Sequence, residues 1–205
     1  MIIITGDSHG CLYNFKDLQI PNIKLEPGSL TMHRIGRDKE LVHFKPEYND
    51  EQNIFILCYG EIDNRCHIHR QVLTGRDPEE VINTLVDEYF KTIALIITKY
   101  KAIIVCSLVP PARQSDYEAI NGPIQHEFPF VGTDEERVKY CRMLNSRIDF
   151  NCKQYGYFFL NYTDFYARED GTLRFEISDR RVHIQETSHI LECLYKILHT
   201  IFTRV

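Results

Sequence analysis

Met1-Ile2-Ile3-Ile4-Thr5-Gly6-Asp7-Ser8-His9-Gly10 opens the chain, and the fold is read outward from it. Three consecutive β-branched apolar residues, Ile2, Ile3 and Ile4, run into a turn punctuated by Gly6 and Gly10. A short apolar run bounded by glycine is the pattern of a buried strand that ends in a sharp turn. In an open α/β sheet such a turn lies at the carboxyl end of the strand, where ligands bind. Ser8 at that point is an exposed nucleophile if a base lies within hydrogen-bond reach. The competing reading is a loop serine that caps the next helix. On this stretch alone the two readings stand level.

The rest of the chain supplies more strands of the same kind, alternating with helices. Apolar runs at 54–59, 102–109 and 157–160 read as buried strands. Leu12, Phe15 and Leu18 have helical spacing, stopped by Pro21. A longer helix starts at Asp77-Pro78 and ends near Tyr100, another starts at the Thr133–Glu136 capping pair and closes at Gly156, and a last one covers 189–202. The polar stretch 23–50 predicts loops with short strands at 30–35 and 41–44. Prolines and glycines make 112–132 a long loop, and Asp170-Gly171 marks a small hairpin between 165 and 177. Strand-helix alternation of this kind implies an α/β fold with a mostly parallel sheet and helices on both faces.

Composition narrows the function classes. At 205 residues the chain is read as one domain over 1–205, long enough to bury a core. A net charge of -5 and a pI near 6.0 argue against a nucleic-acid surface, which needs a basic stripe. No apolar stretch reaches the ~18 residues of a membrane span, and Met1 leads straight into a strand without a secretory leader. The expectation is a cytoplasmic protein without membrane or nucleic-acid partners, its oligomeric state open. The 7 cysteines are irregularly spaced, so they read as reduced core thiols. Cys66-His67-Ile68-His69, with His9, offers metal-ligating side chains but no paired ligand spacing, so no metal or cofactor is expected.

In a parallel sheet the loops leaving the strand carboxyl ends share one edge. Ser8, the 60–65 cluster Gly60-Glu61-Ile62-Asp63-Asn64-Arg65, the Pro110 loop and the segment after Leu160 should therefore converge. A serine nucleophile needs a base and a group that orients it. Asp179 and His183, in Ser178-Asp179-Arg180-Arg181-Val182-His183, are the candidate pair. Asp63 and Arg65 read equally as a structural ion pair or as contacts to sugar hydroxyls. Arg113 reads as a solvated loop residue, and Tyr117, Phe128 and Phe130 as packing under the long loop.

With these residues in hand, the sequence resembles the SGNH/GDSL hydrolase superfamily, as a divergent branch whose third block is Gly-Glu-Ile-Asp-x-Arg. The resemblance runs from Ile2 to about His183 and implies a flavodoxin-like, three-layer α/β/α sandwich. Gly6-Asp7-Ser8 matches the first block, with His9 where the family name implies leucine. Gly36 is the candidate oxyanion glycine of the second block. The third block places Ile62 where the family has an oxyanion asparagine, so Asn64 or Arg65 is the candidate substitute. Asp179 and His183 stand for the last block, separated by three residues where two are usual. The chemistry implied is a Ser8–His183–Asp179 triad acting on O-acyl groups, foremost O-acetyl, of a carbohydrate or small-molecule ester. Two other readings are a sugar O-acetyltransferase with the same acyl-enzyme chemistry and a non-catalytic carbohydrate-binding or assembly module.

Overall fold

The computed structural model describes residues 1–25, 31–124 and 128–203. Among them, strands β1 (Ile2–Gly6), β2 (Asn22–Lys24), β3 (Ile54–Cys58), β4 (Ala102–Cys106) and β5 (Phe158–Leu160) form one sheet. Its order is β2-β1-β3-β4-β5, and every neighbouring pair is parallel. This is the flavodoxin-like order, whose switch point lies between β1 and β3. Gly6 pairs in register with Cys58, so these two strands end level with each other at the switch point.

The helices are α1 (Met32–Asp38), α2 (Ile68–Val72), α3 (Pro78–Ile96), α4 (Gln114–Asn121), α5 (Asp134–Tyr155), α6 (Thr163–Tyr166) and α7 (Ser188–Thr203). Alternate strand residues bury into two separate cores. Ile3, Phe55, Leu57, Ile103 and Val105 join the side chains of α1, α3 and α5. Ile2, Ile4, Ile56 and Ile104 join Ile190, Leu194, Leu198 and Ile201 of α7. Both faces are covered, which is why the strands read as unbroken apolar runs rather than alternating ones. Burying each such side chain contributes roughly 2 kcal/mol.

The helix ends follow their local chemistry. The Asp77 carboxylate accepts the Glu80 N–H at 3.0 Å and Pro78 opens α3. Thr133 and Glu136 cap α5 reciprocally, and Gly156 closes it at φ 70°. The described cysteines, Cys58, Cys66, Cys106, Cys141, Cys152 and Cys193, are free thiols. Among the described residues no helix is long and apolar enough to cross a membrane.

Several local expectations are corrected. The strand expected at 30–35 is helix α1 from Met32 onward, and Leu30 lies outside the described residues. Thr31 Oγ1 accepts the Arg34 N–H at 3.0 Å, and the distant Asp63 carboxylate accepts the Met32 N–H at 2.8 Å, so the helix start is fixed partly from outside the segment. Residues 41–44 form a turn, with the Phe44 N–H donating to the Leu41 carbonyl at 3.1 Å. The edge strand is instead β2, three residues that carry no apolar run. The loop 112–132 contains α4, which buries no residue and so left no apolar stripe in the sequence; residues 125–127 lie outside the description. The first helix is a short π-helical run, His9–Asn14, that leaves Leu12 exposed while Phe15 and Leu18 are buried beyond it. In place of a hairpin at 165–177 there is a single bridge between Ala167 and Leu173, closed by the expected Asp170-Gly171 turn.

Candidate active site

Ser8 leaves the tip of β1 where backbone and backbone nearly touch. The Asp7 N–H donates to the Cys58 carbonyl at 3.1 Å, and a Cβ on Gly10 would lie 2.6 Å from Cys58 Cβ. Only glycine permits that approach, which tucks the turn against β3 and directs the intervening serine outward. Ser8 is half-buried, whereas Gly6, Asp7, His9 and Gly10 are buried. It sits at the N-cap of the His9–Asn14 run but makes no side-chain capping bond there. Its Oγ lies 2.9 Å from His183 Nε2 instead. Of the two readings of this serine, the capping role is the one the structure does not support.

His183 Nδ1 lies 2.6 Å from Asp179 Oδ2. An ionised carboxylate only accepts, so the ring proton resides on Nδ1 and Nε2 is free to accept from Ser8. Asp179 Oδ1 also takes the backbone N–H groups of Arg181 (2.8 Å) and His183 (3.1 Å). The Asp179 N–H donates back to the His183 carbonyl at 2.9 Å, so 179–183 closes as a tight loop beside the Ser178–Ile184 bridge. Three residues rather than two between Asp and His are accommodated because Arg180 takes a left-handed conformation, φ 59°. Asn121 of α4 donates to its carbonyl at 2.8 Å and supports that turn.

The electrostatics suit a base. Burial lowers the His183 pKa below its ordinary value; Asp179 opposes this and the neighbouring His9 adds to it. Burial pushes the Asp179 carboxyl up, but the bonds from His183 and the backbone outweigh it and hold the group below the usual carboxylate range. His183 is therefore neutral and Asp179 ionised near neutral pH.

Two residues have a place at this site that the sequence does not give them: Tyr13 carries no reading there, and His9 is read only as a possible metal-ligating side chain. Tyr13 stacks on the His183 ring, centroids 3.8 Å apart. His9 lies 4.6 Å from the same ring and is bonded to Asp7 and to the Val182 carbonyl. His9 follows Ser8 directly, but its second partner is 173 residues away in the chain. No sequence pattern reveals such a contact.

The other expected site residues have different surroundings. Gly36 lies inside α1, where a Cβ would come within 3.1 Å of Glu88 Cβ on α3. Its N–H belongs to the helix ladder, so its role is helix packing and not oxyanion donation. Asp63 is fully buried, and its two oxygens accept the Met32 and His33 N–H groups at 2.8 and 3.3 Å. It caps α1. Burial pushes its carboxyl up to about 7 against those two bonds. Arg65 pairs with Glu61 and not with Asp63, Nε to Oε1 at 2.9 Å, and lies over the Phe130 ring. Asn64 is buried, and its carboxamide oxygen has no partner among the described residues. In the same turn Glu61 Oε2 is also buried and has no hydrogen-bond partner among the described residues. Arg113 pairs with Asp170, and Tyr117 packs edge-on against Phe130.

The Cys66–His69 stretch splits up. Cys66 is buried, His67 contacts His33 and Phe128, and His69 Nδ1 meets the Tyr140 hydroxyl at 3.0 Å. Among the described residues no group of three or more His, Cys, Asp or Glu side chains is arranged to hold a metal ion.

No protein-family model matches the chain, and no curated protein sequence matches it. Solved structures do. A Streptococcus pneumonia protein provisionally described as a platelet activating factor superposes with a TM-score of 0.61 at 14% identity, covering 98% of this chain and 83% of that one. A GDSL-like lipase from Bacteroides thetaiotaomicron VPI-5482 gives 0.57 at 15% identity, over 100% and 88%. A protein from Bacteroides fragilis NCTC 9343, provisionally described as an acylhydrolase, gives 0.53 at 15% identity, over 98% and 86%. The chain thus has the fold of the GDSL/SGNH hydrolases.

Proposed function

We propose that the protein is a serine esterase that removes O-acyl groups, foremost O-acetyl, from a carbohydrate or small-molecule ester. The observation that carries this reading is the continuous hydrogen-bonded chain from Ser8 Oγ through His183 to Asp179. In that geometry Ser8 Oγ attacks the ester carbonyl carbon while its proton passes to His183 Nε2. The imidazolium then gives the proton to the departing alcohol oxygen, leaving an acyl-Ser8 ester. Water, deprotonated by the same nitrogen, releases the acid and restores the serine. Asp179 stays ionised throughout, orienting the ring and favouring its charged form. We assign the Ser8 backbone N–H and the Asn64 carboxamide as oxyanion donors, in place of Gly36 and of the missing side chain at Ile62. Loss of one such donor costs about 3 kcal/mol in the transition state.

The fold shared with GDSL hydrolases supports the reaction class but says nothing of the substrate. The test is hydrolysis of a panel of acetylated sugars and simple acetyl esters by wild type and Ser8→Ala. The reading expects turnover by wild type that the variant lacks, and equal turnover by both rejects it. Measured with a sugar acceptor present, acyl transfer exceeding hydrolysis would instead favour the transferase.

A further inference from the structure

We propose that His9 is a positioning residue for the His183 base: held between Asp7 and the Val182 carbonyl, it is a cation at neutral pH that keeps His183 neutral and aligned with Ser8. This rests on the esterase reading above.

The charge follows from hydrogen bonding alone. His9 Nδ1 lies 3.1 Å from Asp7 Oδ1, which also accepts the His9 backbone N–H at 2.9 Å. On the far side of the ring, Nε2 lies 3.0 Å from the Val182 carbonyl oxygen. A carbonyl and a carboxylate are both acceptors, so each ring nitrogen must carry a proton. A ring protonated on both nitrogens is an imidazolium. His9 is only 2% exposed, so water does little to stabilise it, and the adjacent Asp7 carboxylate supplies the compensation. In keeping with this, burial works against the charge but Asp7 overrides it, and the pKa rises to about 9. Glu61 and Cys58 also favour its charge, and the His183 ring faces it at 4.6 Å.

The bond to Val182 aligns the base. The peptide unit between Val182 and His183 is gripped at both ends: its carbonyl by His9, and its N–H by Asp179 Oδ1 at 3.1 Å. The turn that presents the nucleophile therefore also fixes the backbone that presents the base. Any drift of one segment from the other must break a buried charge-assisted bond.

The charge itself tunes the base. The two imidazoles are tilted by 45°, and all their ring nitrogens are engaged elsewhere, so no proton passes between them. They interact through space, and a cation at this range disfavours a second one. The groups facing His183 are Asp179 and, less strongly, Glu61, which favour its protonation, Tyr13 across its face, and His9, which resists it. Without His9 the carboxylates would hold more of His183 protonated, and a protonated base cannot accept the serine proton.

The test combines a ring-nitrogen NMR titration of 15N-histidine-labelled protein with pH–rate profiles for acetyl-ester hydrolysis, using wild type, His9→Gln and His9→Leu. In wild type both His9 nitrogens should be protonated at neutral pH. His9→Gln keeps a hydrogen-bonding side chain without the charge. It should raise the His183 pKa and move the acid limb of kcat/KM to higher pH, with acid-side activity falling on the order of tenfold. His9→Leu should add a loss at the plateau, because the Val182 carbonyl loses its anchor.

A wild-type His9 carrying one ring proton at neutral pH overturns the proposal, and this result needs no variant to fold. An unmoved His183 titration in a folded His9→Gln protein also overturns it, reducing His9 to a structural part. Absence of ester hydrolysis by wild type, with the His183 titration still shifting in His9→Gln, would sink the esterase reading and leave the electrostatic coupling standing.

Discussion

Tyr13 lies flat on His183, with ring planes 5° from parallel and centroids 3.8 Å apart. The imidazole is thus held on its face by Tyr13, at Nδ1 by Asp179 and at Nε2 by Ser8. Stacking of this kind contributes about 1 kcal/mol beyond the buried area. Tyr13→Phe keeps the ring and should keep kcat; Tyr13→Ala should lower kcat about fivefold. Steady-state kinetics on one acetyl ester separates the cases, and an unaffected Tyr13→Ala would show that the ring is held without this contact.

If His183 is the base, its lowered pKa sets the pH dependence of activity. The base must be neutral to accept the Ser8 proton, so kcat/KM should rise with pH as His183 deprotonates. Because burial and His9 lower its pKa, the half-rise should fall on the acid side of an ordinary histidine, 6.5. Rates between pH 4 and 8 in constant ionic strength, on the order of that range for histidine titration, check it. A half-rise above that ordinary value would contradict the electrostatics of the site.

His9 links stability to pH in the opposite sense. Its folded pKa, about 9, lies above the ordinary histidine value of 6.5, so the stability it contributes is complete below the lower value and lost as pH rises through the upper one. The loss is on the order of 3 kcal/mol. Urea unfolding at several pH values, compared between wild type and His9→Leu, isolates this contribution. The difference between the two proteins should shrink from neutral to alkaline pH, and a constant difference would mean that His9 is neutral in the fold.

Asp63 offers a test of structure against substrate contact. Its carboxylate satisfies two N–H groups at the start of α1. Asp63→Ala should therefore destabilise the fold by about 2 kcal/mol, seen as a lower urea midpoint with an unchanged slope. The folded fraction should keep its KM. A raised KM with no change in midpoint would assign Asp63 to the substrate instead.

The sheet was legible because its information is local: Ile2 to Ile4, Ile54 to Leu57 and Ala102 to Cys106 are buried on both faces and show it as apolar runs. The caps at Asp77 and Thr133 were legible for the same reason. Helix α1 is not legible in the sequence because part of its cap, Asp63, comes from 31 residues further on. Helix α4 was missed because a helix that buries nothing carries no periodicity. At the site, Ser8, Asp179 and His183 were named by residue type and turn context. The roles of His9 and Tyr13 follow from where the loop 179–183 comes to rest, and Gly36 was assigned by family position where its actual neighbour is Glu88.

Everything proposed for this site requires Ser8 to be an activated nucleophile. Its most direct test is covalent labelling by a fluorophosphonate probe, read by intact mass and peptide mapping on wild type, Ser8→Ala and His183→Ala. One adduct is expected, on Ser8, absent from Ser8→Ala and strongly slowed in His183→Ala. A folded wild-type protein that takes no label, or takes it at another residue, would contradict it.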